Sequence, residues 1–145
     1  MKFNRVLVAV DGGDADRDAI QMACRLVRDT RGTVFVVHVI EVKRSLPLNA
    51  ALHADADEGG RILRRAQDFA DTHDCNIETD LLQAREPGPA IVSEILEKKI
   101  DLLLVGMGYR TKFGHFELGE TIPYLLKNAP CQVMILRRSL EDEPQ

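Results

Sequence analysis

The sequence predicts an α/β fold: an open parallel sheet of five strands with helices on both faces. Short apolar runs rich in Val, Ile and Leu recur five times along the 145 residues, and segments with apolar residues at helical spacing separate them. Since each crossover between parallel strands is right-handed and buries its apolar side on the sheet, helices cover both faces. A chain with 45% hydrophobic residues can fold as one domain, 1–145, ending in a polar tail at 139–145.

The first two strands lie close to the start of the chain. Residues 5–10 (RVLVAV) form the first, which ends at an Asp-Gly-Gly turn. A helix follows, capped by Asp14 or Asp16. Residues 33–40 (TVFVVHVI) form the second strand, and their nearly unbroken apolar character is typical of a strand covered on both faces. The helix turns inward the residues Ala19, Ala23, Leu26 and Val27.

The middle of the chain is harder to assign. Residues 43–60 are predicted to be a long connection, whose start could be helical, because Pro47, Gly59 and Gly60 leave no clean period. From 61 onward a helix is expected, with its inward face formed by Ile62, Ala66, Phe69, Ala70 and His73. Half-polar alternation in 76–82 indicates a strand at an edge of the sheet.

The last third repeats the pattern. Pro87 and Gly88 introduce a helix that ends near Lys98 and Lys99, and residues 102–105 form the fourth strand. A final helix is expected to turn Leu118, Ile122, Leu125 and Leu126 inward. Residues 131–137 (CQVMILR) form the fifth strand.

Composition excludes several classes of protein. A net charge of -4 gives no global basic field, which argues against a nucleic acid as a primary partner. No apolar run approaches the ~20 residues that span a bilayer, so direct membrane insertion is not expected, and without a signal-peptide pattern we expect a cytoplasmic location. Cys24, Cys75 and Cys131 lack CxxC spacing, and are expected to be small buried residues rather than disulfide or zinc ligands.

The segment 101–121 carries the strongest functional signal. It leads an apolar strand into a loop with glycines that opens a helix, an arrangement that favours bound anions. Asp11 and Gly106 both end strands, so both are expected at the edge of the sheet where ligands bind. A structural role remains open for each: the glycines could serve a turn with positive φ, and Asp11 could accept hydrogen bonds across its own turn.

Other residues point away from catalysis. His38 is expected to be a core histidine, and the remaining histidines have no ligand spacing, so no metal site is predicted. Tyr109 could close the loop over an apolar cluster with Phe113 and Phe116, or stack on a base. The chain has no Walker loop, no GxSxG motif and no paired Cys and His, so no catalytic constellation is predicted.

Three local matches show that the chain resembles the universal stress protein family along almost its whole length. These are VLVAVDGG at the first strand, VVHVIE at the second, and residues 106–121 set against the family's pattern GxxG, nine residues, then Gly followed by Ser or Thr. The resemblance implies the strand order 3-2-1-4-5. It also implies adenine-nucleotide binding in some members, with ATP, ADP or AMP as the ligand and no required cofactor.

Carried over residue by residue, the family pattern is only partly met. Asp11 matches the aspartate that contacts the nucleotide, and Val39 matches the position whose backbone meets adenine. In the loop, Gly106 and Gly119 match the first and last glycines. The phosphate pattern changes at two positions: Tyr109 stands where the second glycine belongs and Glu120 where Ser or Thr should contact phosphate. Gly108 could act as a displaced second glycine.

These departures set the functional expectation. The loss of a hydroxyl contact to phosphate removes about 1.5 to 3 kcal/mol, and a carboxylate there adds repulsion. We expect Glu120 to occupy the anion site itself, near the start of a helix. The leading hypothesis is a non-catalytic stress-response or regulatory protein with weak or absent ATP binding. An ATP-binding member with slow hydrolysis, using Arg110, Lys112 and Thr121 for phosphates, is the alternative, and an accessory module of a transporter is a third.

The fifth strand predicts an assembly. In the implied order it is an edge strand, and 131–137 carries no charge before Arg137. Such an edge aggregates unless it is paired or covered. Antiparallel pairing with a second copy would cover it, so a homodimer through Cys131 to Arg137 is expected.

Overall fold

The computed structural model describes residues 2–109, 111–112, 115–116 and 118–142, with the backbone alone at 111, 112, 115 and 142. Within these residues the strands are β1 (Arg5–Ala9), β2 (Thr33–Glu41), β3 (Ile77–Ala84), β4 (Leu102–Met107), the short pair β5 (Thr111–Lys112) and β6 (His115–Phe116), and β7 (Gln132–Arg137). The helices are α1 (Ala15–Arg28), α2 (His53–Thr72), α3 (Pro87–Lys98) and α4 (Thr121–Asn128), and a 3₁₀ turn covers Leu140–Asp142.

The main sheet has the order β3-β2-β1-β4-β7, and all four of its pairings are parallel. Numbered among the five long strands this is the order 3-2-1-4-5, so the predicted fold class and strand order are confirmed. In register, Val6 lies opposite Val34 on one side and Leu102 on the other. The chain leaves β1 toward β2 in one direction and reaches β4 in the other. The reversal of chain order therefore falls between β1 and β4.

Two apolar layers hold the helices on the sheet. On one face the side chains of Val6 and Val8 pack with residues of α1 and α2. On the other face Leu7 packs with Ile91 and Ile95 of α3 and with Leu125 of α4. Alternate residues of β1 thus face opposite layers, as the period of a strand requires, and all three are fully buried.

Helix α2 begins at His53, eight residues before the predicted start, so Gly59 and Gly60 lie in a helix and not in the connection. The prediction was wrong because glycine usually interrupts helices. At Gly59, however, a Cβ would lie 2.6 Å from Leu81 Cδ1 and 3.2 Å from His38 Cδ2. The close approach of α2 to the sheet therefore favours glycine at this position over its lower helix propensity.

Helix α4 buries less than predicted. Ile122 and Leu125 are buried, but Leu126 is 55% exposed, and Leu118 precedes the helix and is 37% exposed. The helix has eight residues and packs against α3. A helix of this length buries two apolar residues, whereas the sequence predicted that four would face inward.

The cysteine prediction was also wrong, because Cys24 and Cys75 are joined by a disulfide, with their Cα atoms 5.9 Å apart. Cys24 lies in α1 and Cys75 in the connection from α2 to β3, elements that pack on the same face of the sheet. The two positions are separated by 51 residues. Their proximity is a product of the fold and has no signature in sequence spacing. The third cysteine, Cys131, is a free thiol.

The end of the chain packs back on α1. The guanidinium of Arg138 donates from Nε to Asp18 Oδ2 at 3.1 Å, and its Nη1 lies 3.8 Å from Asp14 Oδ2. The predicted polar tail, 139–145, contains the turn at Leu140–Asp142, and its last three residues lie outside the described part of the chain. Among the described residues, no helix combines the length and the apolar character needed to cross a bilayer.

Candidate functional site

A cleft of about 180 Å³ lies at the carboxyl ends of β1, β2 and β4, at the point where chain order reverses. In open parallel sheets this is where ligands bind. Its walls come from the ends of the three strands and from the first residues of α3 and α4. The described residues that line it are Ala9, Val10, Asp11, His38, Val39, Pro87, Ile91, Val105, Gly106, Thr121 and Ile122.

The cleft brings together four of the eight predicted site residues: Asp11, Val39, Gly106 and Thr121. Two others, Gly108 and Gly119, are described but lie outside this lining. The predicted phosphate contacts of Arg110, and of the Lys112 side chain, fall outside the described part of the chain.

Asp11 stabilises its own turn. Its Oδ1 accepts a hydrogen bond from the Gly13 N–H at 2.9 Å. This is the side-chain turn that aspartate commonly forms at the end of a strand. The structural role anticipated for Asp11 is therefore present, and the same carboxylate is exposed at the rim of the cleft.

Asp16 has a role in the loop after β1 that the sequence pattern did not predict. Its carboxylate accepts hydrogen bonds from the N–H of Gly12 at 2.8 Å and the N–H of Asp11 at 3.2 Å. Burial raises the pKa of Asp16 from 3.8 to about 6, and the nearby carboxylate of Asp11 adds to the increase, while these hydrogen bonds and His38 act in the opposite direction. The anion in the loop after β1 is thus a side chain of the protein itself.

His38 is bound to the main chain, as expected for a core histidine. Its Nδ1 donates to the Val10 carbonyl oxygen at 2.9 Å. The ring also packs near Gly59 of α2. This contact couples the end of β2 to the end of β1 and fixes one wall of the cleft.

Gly106 is required by a close approach. A Cβ at Gly106 would collide with the carbonyl oxygen of Ala15, the first residue of α1, so helix and strand approach here more closely than any larger residue permits. The suggested alternative, a turn with positive φ, is wrong for Gly106, which lies within β4 and does not have a positive φ. Among the described glycines of this loop, Gly119 has a positive φ, at +72°.

In the loop after β4, two of the described aromatic residues pack against each other. The rings of Tyr109 and Phe116 stack with centroids 4.8 Å apart, and the Arg137 guanidinium lies 5.3 Å from the Tyr109 centroid. The aromatic cluster offered as one role for Tyr109 is therefore present for these two rings. The third residue suggested for it, Phe113, lies outside the described residues.

Glu120 does not fill the anion site as expected. It is the N-cap of α4, with φ -100° and ψ -32°, and its exposed carboxylate makes no capping hydrogen bond with the described part of the chain. Its side chain instead lines a neighbouring cleft beside Thr121 and Tyr124. The helical conformation of the N-cap residue explains the difference, because side-chain capping normally needs an extended one.

The neighbouring cleft is acidic. Three carboxylates line it, those of Glu41, Glu86 and Glu120. Arg44 lies 3.9 Å from Glu86, but both side chains are largely exposed, so this ion pair is weak. The two clefts share Pro87 and Thr121. A ligand that extends past Thr121 out of the first cleft would therefore approach three negative charges.

The helix ends at the cleft provide few donors for an anion. At α4 the third residue is Pro123, which has no N–H, and α3 begins with Pro87-Gly88-Pro89. None of the described residues that line the first cleft is Lys or Arg. Nor do the described residues contain any group of three His, Cys, Asp or Glu that could hold a metal ion.

Comparison with known proteins finds relatives of one family. A universal stress protein of Methanocaldococcus jannaschii is 23% identical over 142 residues, covering 94% of this chain and 83% of the relative. The fold is shared with a universal stress protein structure from Archaeoglobus fulgidus, at TM-score 0.77 and 21% identity, covering 91% of this chain and 97% of that one.

Another solved structure is a complex. It is a universal stress protein from Archaeoglobus fulgidus with dAMP, at TM-score 0.73 and 21% identity, covering 93% of this chain and 98% of that one. The model of the universal stress protein family matches residues 2–137. The chain therefore belongs to the universal stress protein family.

Proposed function

We propose that this protein is a non-catalytic regulatory protein that binds an adenine nucleoside monophosphate in the cleft at the ends of β1, β2 and β4, and binds ATP weakly or not at all. The complex of a relative with dAMP supports the ligand class. The observation that carries the preference is the charge of the lining: the described residues that line this cleft and the neighbouring one include carboxylates but no lysine or arginine.

The nucleoside would occupy the cleft itself. Val39 provides apolar surface and main-chain groups at the end of β2, where the family resemblance puts adenine. Asp11 uses Oδ1 for the Gly13 N–H, which leaves Oδ2 for a ribose hydroxyl. The volume of about 180 Å³ is below the 300 to 1,000 Å³ that is usual for ligand pockets. A small ligand, largely limited to its nucleoside, suits this space.

The outer phosphates of ATP would lie close to negatively charged side chains. Their path beyond Thr121 leads toward Glu41, Glu86 and Glu120. Like charges brought together at a binding surface cost several kcal/mol, whereas the hydroxyl that the family pattern puts at position 120 would add about 1.5 to 3 kcal/mol through a charge-assisted hydrogen bond. Each further phosphate should therefore reduce affinity.

Isothermal titration calorimetry with adenosine, AMP, ADP and ATP tests this proposal. We expect the affinity for AMP to exceed that for ATP at least about tenfold. Mg²⁺ should reduce the difference in affinity between AMP and ATP, because the bound ion neutralises part of the triphosphate charge. Glu120→Gln should also reduce this difference. The control Glu97→Gln, the same change on an exposed residue of α3, should leave the difference unchanged. Tighter binding of ATP than of AMP, followed by hydrolysis, would establish the ATP-binding alternative instead.

The non-catalytic role is supported by how the titratable side chains of the cleft are used. Asp11 and His38 are each hydrogen bonded to the main chain of the first strand or its turn. These contacts hold the cleft in shape, and we assign the remaining oxygen of Asp11, Oδ2, to a ribose hydroxyl rather than to a reacting atom. A cytoplasmic location stays a prediction, and the Cys24–Cys75 bond makes the redox state of the surroundings relevant to it.

We also propose a homodimer through β7, the predicted pairing edge. Four central residues of this edge strand, 133–136, are apolar and partly exposed. The opposite edge, β3, carries Glu78 and Asp80, charges that discourage pairing. Antiparallel pairing of two β7 strands would satisfy the open main chain of both copies.

Sedimentation velocity tests the dimer. The wild-type chain should sediment as a dimer, and Ile135→Lys should shift it to a monomer because it places a charge in the paired edge. The matched control is Thr79→Lys, on the exposed opposite edge strand, which should leave the dimer intact. A wild-type monomer would contradict the proposal.

A further inference from the structure

The disulfide joins two cysteines that differ in exposure. Cys24, in the middle of α1, is 5% exposed. Cys75 is only partly buried, in the short connection between α2 and β3, where its N–H donates to the Ala70 carbonyl oxygen at 3.0 Å. Cys75 and Cys131 are both partly buried and pack against apolar layers on opposite faces of the sheet, and burial raises the pKa of the Cys131 thiol. Of the two sulfurs in the disulfide, that of Cys75 is therefore the better placed to react with a reagent from solvent.

We propose that Cys75 is the site at which small thiols and small disulfides react with this protein, with Cys24 as the resolving cysteine. Thiol–disulfide exchange requires the attacking thiolate to reach a sulfur atom directly. The body of the protein covers Cys24, so attack from solvent occurs at Cys75. The pair forms a reversible modification site, since its resolving partner lies within bonding distance.

Reduction takes two exchanges. A thiolate attacks Sγ of Cys75, the Cys24–Cys75 bond breaks, and the electron pair leaves with Cys24, which takes up a proton. A second thiolate then attacks the small-molecule sulfur of the mixed disulfide, releasing a small disulfide and the Cys75 thiolate. In oxidation the Cys75 thiolate attacks a small disulfide, and Cys24 then displaces the small thiolate. One disulfide and two thiols are exchanged in each direction.

Glutathione disulfide is the probe for this site, applied to the reduced full-length chain. After brief exposure and acid quenching, peptide mapping by mass spectrometry should find the glutathione adduct on Cys75 at least about tenfold more often than on Cys24. With time the adduct on Cys75 should give way to the Cys24–Cys75 disulfide. Early adducts mainly on Cys24, or no internal disulfide at the end, would overturn the proposal.

Substitutions sharpen the same experiment. Cys24→Ala removes the resolving thiol, so the adduct on Cys75 should accumulate and persist. Cys131→Ala is the matched control and should leave the time course unchanged. Circular dichroism is used to check that Cys24→Ala is folded, and the wild-type time course tests the proposal without any substitution. The result does not depend on whether a nucleotide binds.

Discussion

The carboxylate of Asp16 offers a quantitative test of the loop after β1. Its pKa is raised from 3.8 to about 6, first by burial and then by the neighbouring Asp11. A shift of about 2 pH units corresponds to roughly 3 kcal/mol, at 1.36 kcal/mol per unit. The folded state therefore binds this proton more tightly than the unfolded state does. The contribution of this carboxyl to the free energy of unfolding should be greatest below about pH 4 and should fall by about 3 kcal/mol as the pH rises through 6.

The perturbation is Asp16→Asn. Asparagine keeps an oxygen that can accept the Gly12 N–H but cannot ionise. At pH 8 we expect the variant to be more stable than the wild type by about 1 to 3 kcal/mol, because it avoids the burial of a charge. At pH 4 the difference should vanish, since the wild-type carboxyl is then protonated.

Urea denaturation followed by circular dichroism, at intervals from pH 4 to pH 8, measures both curves. The control is Asp57→Asn, the same change at an exposed position of α2, which should move the curve by less than about 0.5 kcal/mol at any pH. If Asp16→Asn is instead less stable than the wild type at pH 8, the two main-chain hydrogen bonds outweigh the cost of burial and the reasoning is refuted.

Four further predictions follow from the same structure. Glu120→Ser should raise ATP affinity about tenfold in calorimetry and leave AMP affinity unchanged. Gly106→Ala should lower the free energy of unfolding by about 3 kcal/mol, because the added methyl group has no room. Reduction of the Cys24–Cys75 bond, which spans 51 positions, should cost about 4 kcal/mol in a chain-entropy estimate and lower the melting temperature. Glu94→Gln should raise the melting temperature at pH 8 but not at pH 4, because burial and nearby carboxylates raise the pKa of Glu94.

Each of these has an outcome that contradicts it. Unchanged ATP affinity in Glu120→Ser would leave Tyr109 or the loop shape as the obstacle. Gly60→Ala is the control for Gly106→Ala: its methyl group meets no atom within 4 Å, so it should be neutral or stabilising by up to about 1 kcal/mol. Equal effects of the two glycine substitutions would disprove the close contact. Equal melting temperatures before and after reduction would show that the Cys24–Cys75 disulfide does not stabilise the fold. A loss of stability in Glu94→Gln at pH 8 would show that Glu94 is stabilising as an anion.

The sequence predicted the fold well because strand and helix periods are local. The five main strands and the crossovers between them follow from runs such as 5–10 and 33–40. The start of α2 could not be read in the same way. Gly59 is a local signal for a break, and the reason for its place in a helix is the nearby Leu81, which is distant in sequence.

The site was predicted in part for a similar reason. Asp11 and Gly106 were placed correctly at the edge of the sheet, because the ends of parallel strands meet there. Asp14, Asp16 and Asp18 look alike in the sequence, and the structure alone shows that Asp16 turns back to the loop amides while the other two face Arg138. The signal that could have found it is its position, four residues after Gly12 and within the first turn of the helix.

Binding measured with the intact, disulfide-bonded protein tests the central claim most directly: a calorimetric comparison of AMP with ATP, both without Mg²⁺. The charge around the cleft predicts a dissociation constant for AMP that is lower than that for ATP by at least about tenfold. An ATP dissociation constant equal to or below that of AMP would contradict the account, because the carboxylates beyond Thr121 would then not oppose the outer phosphates.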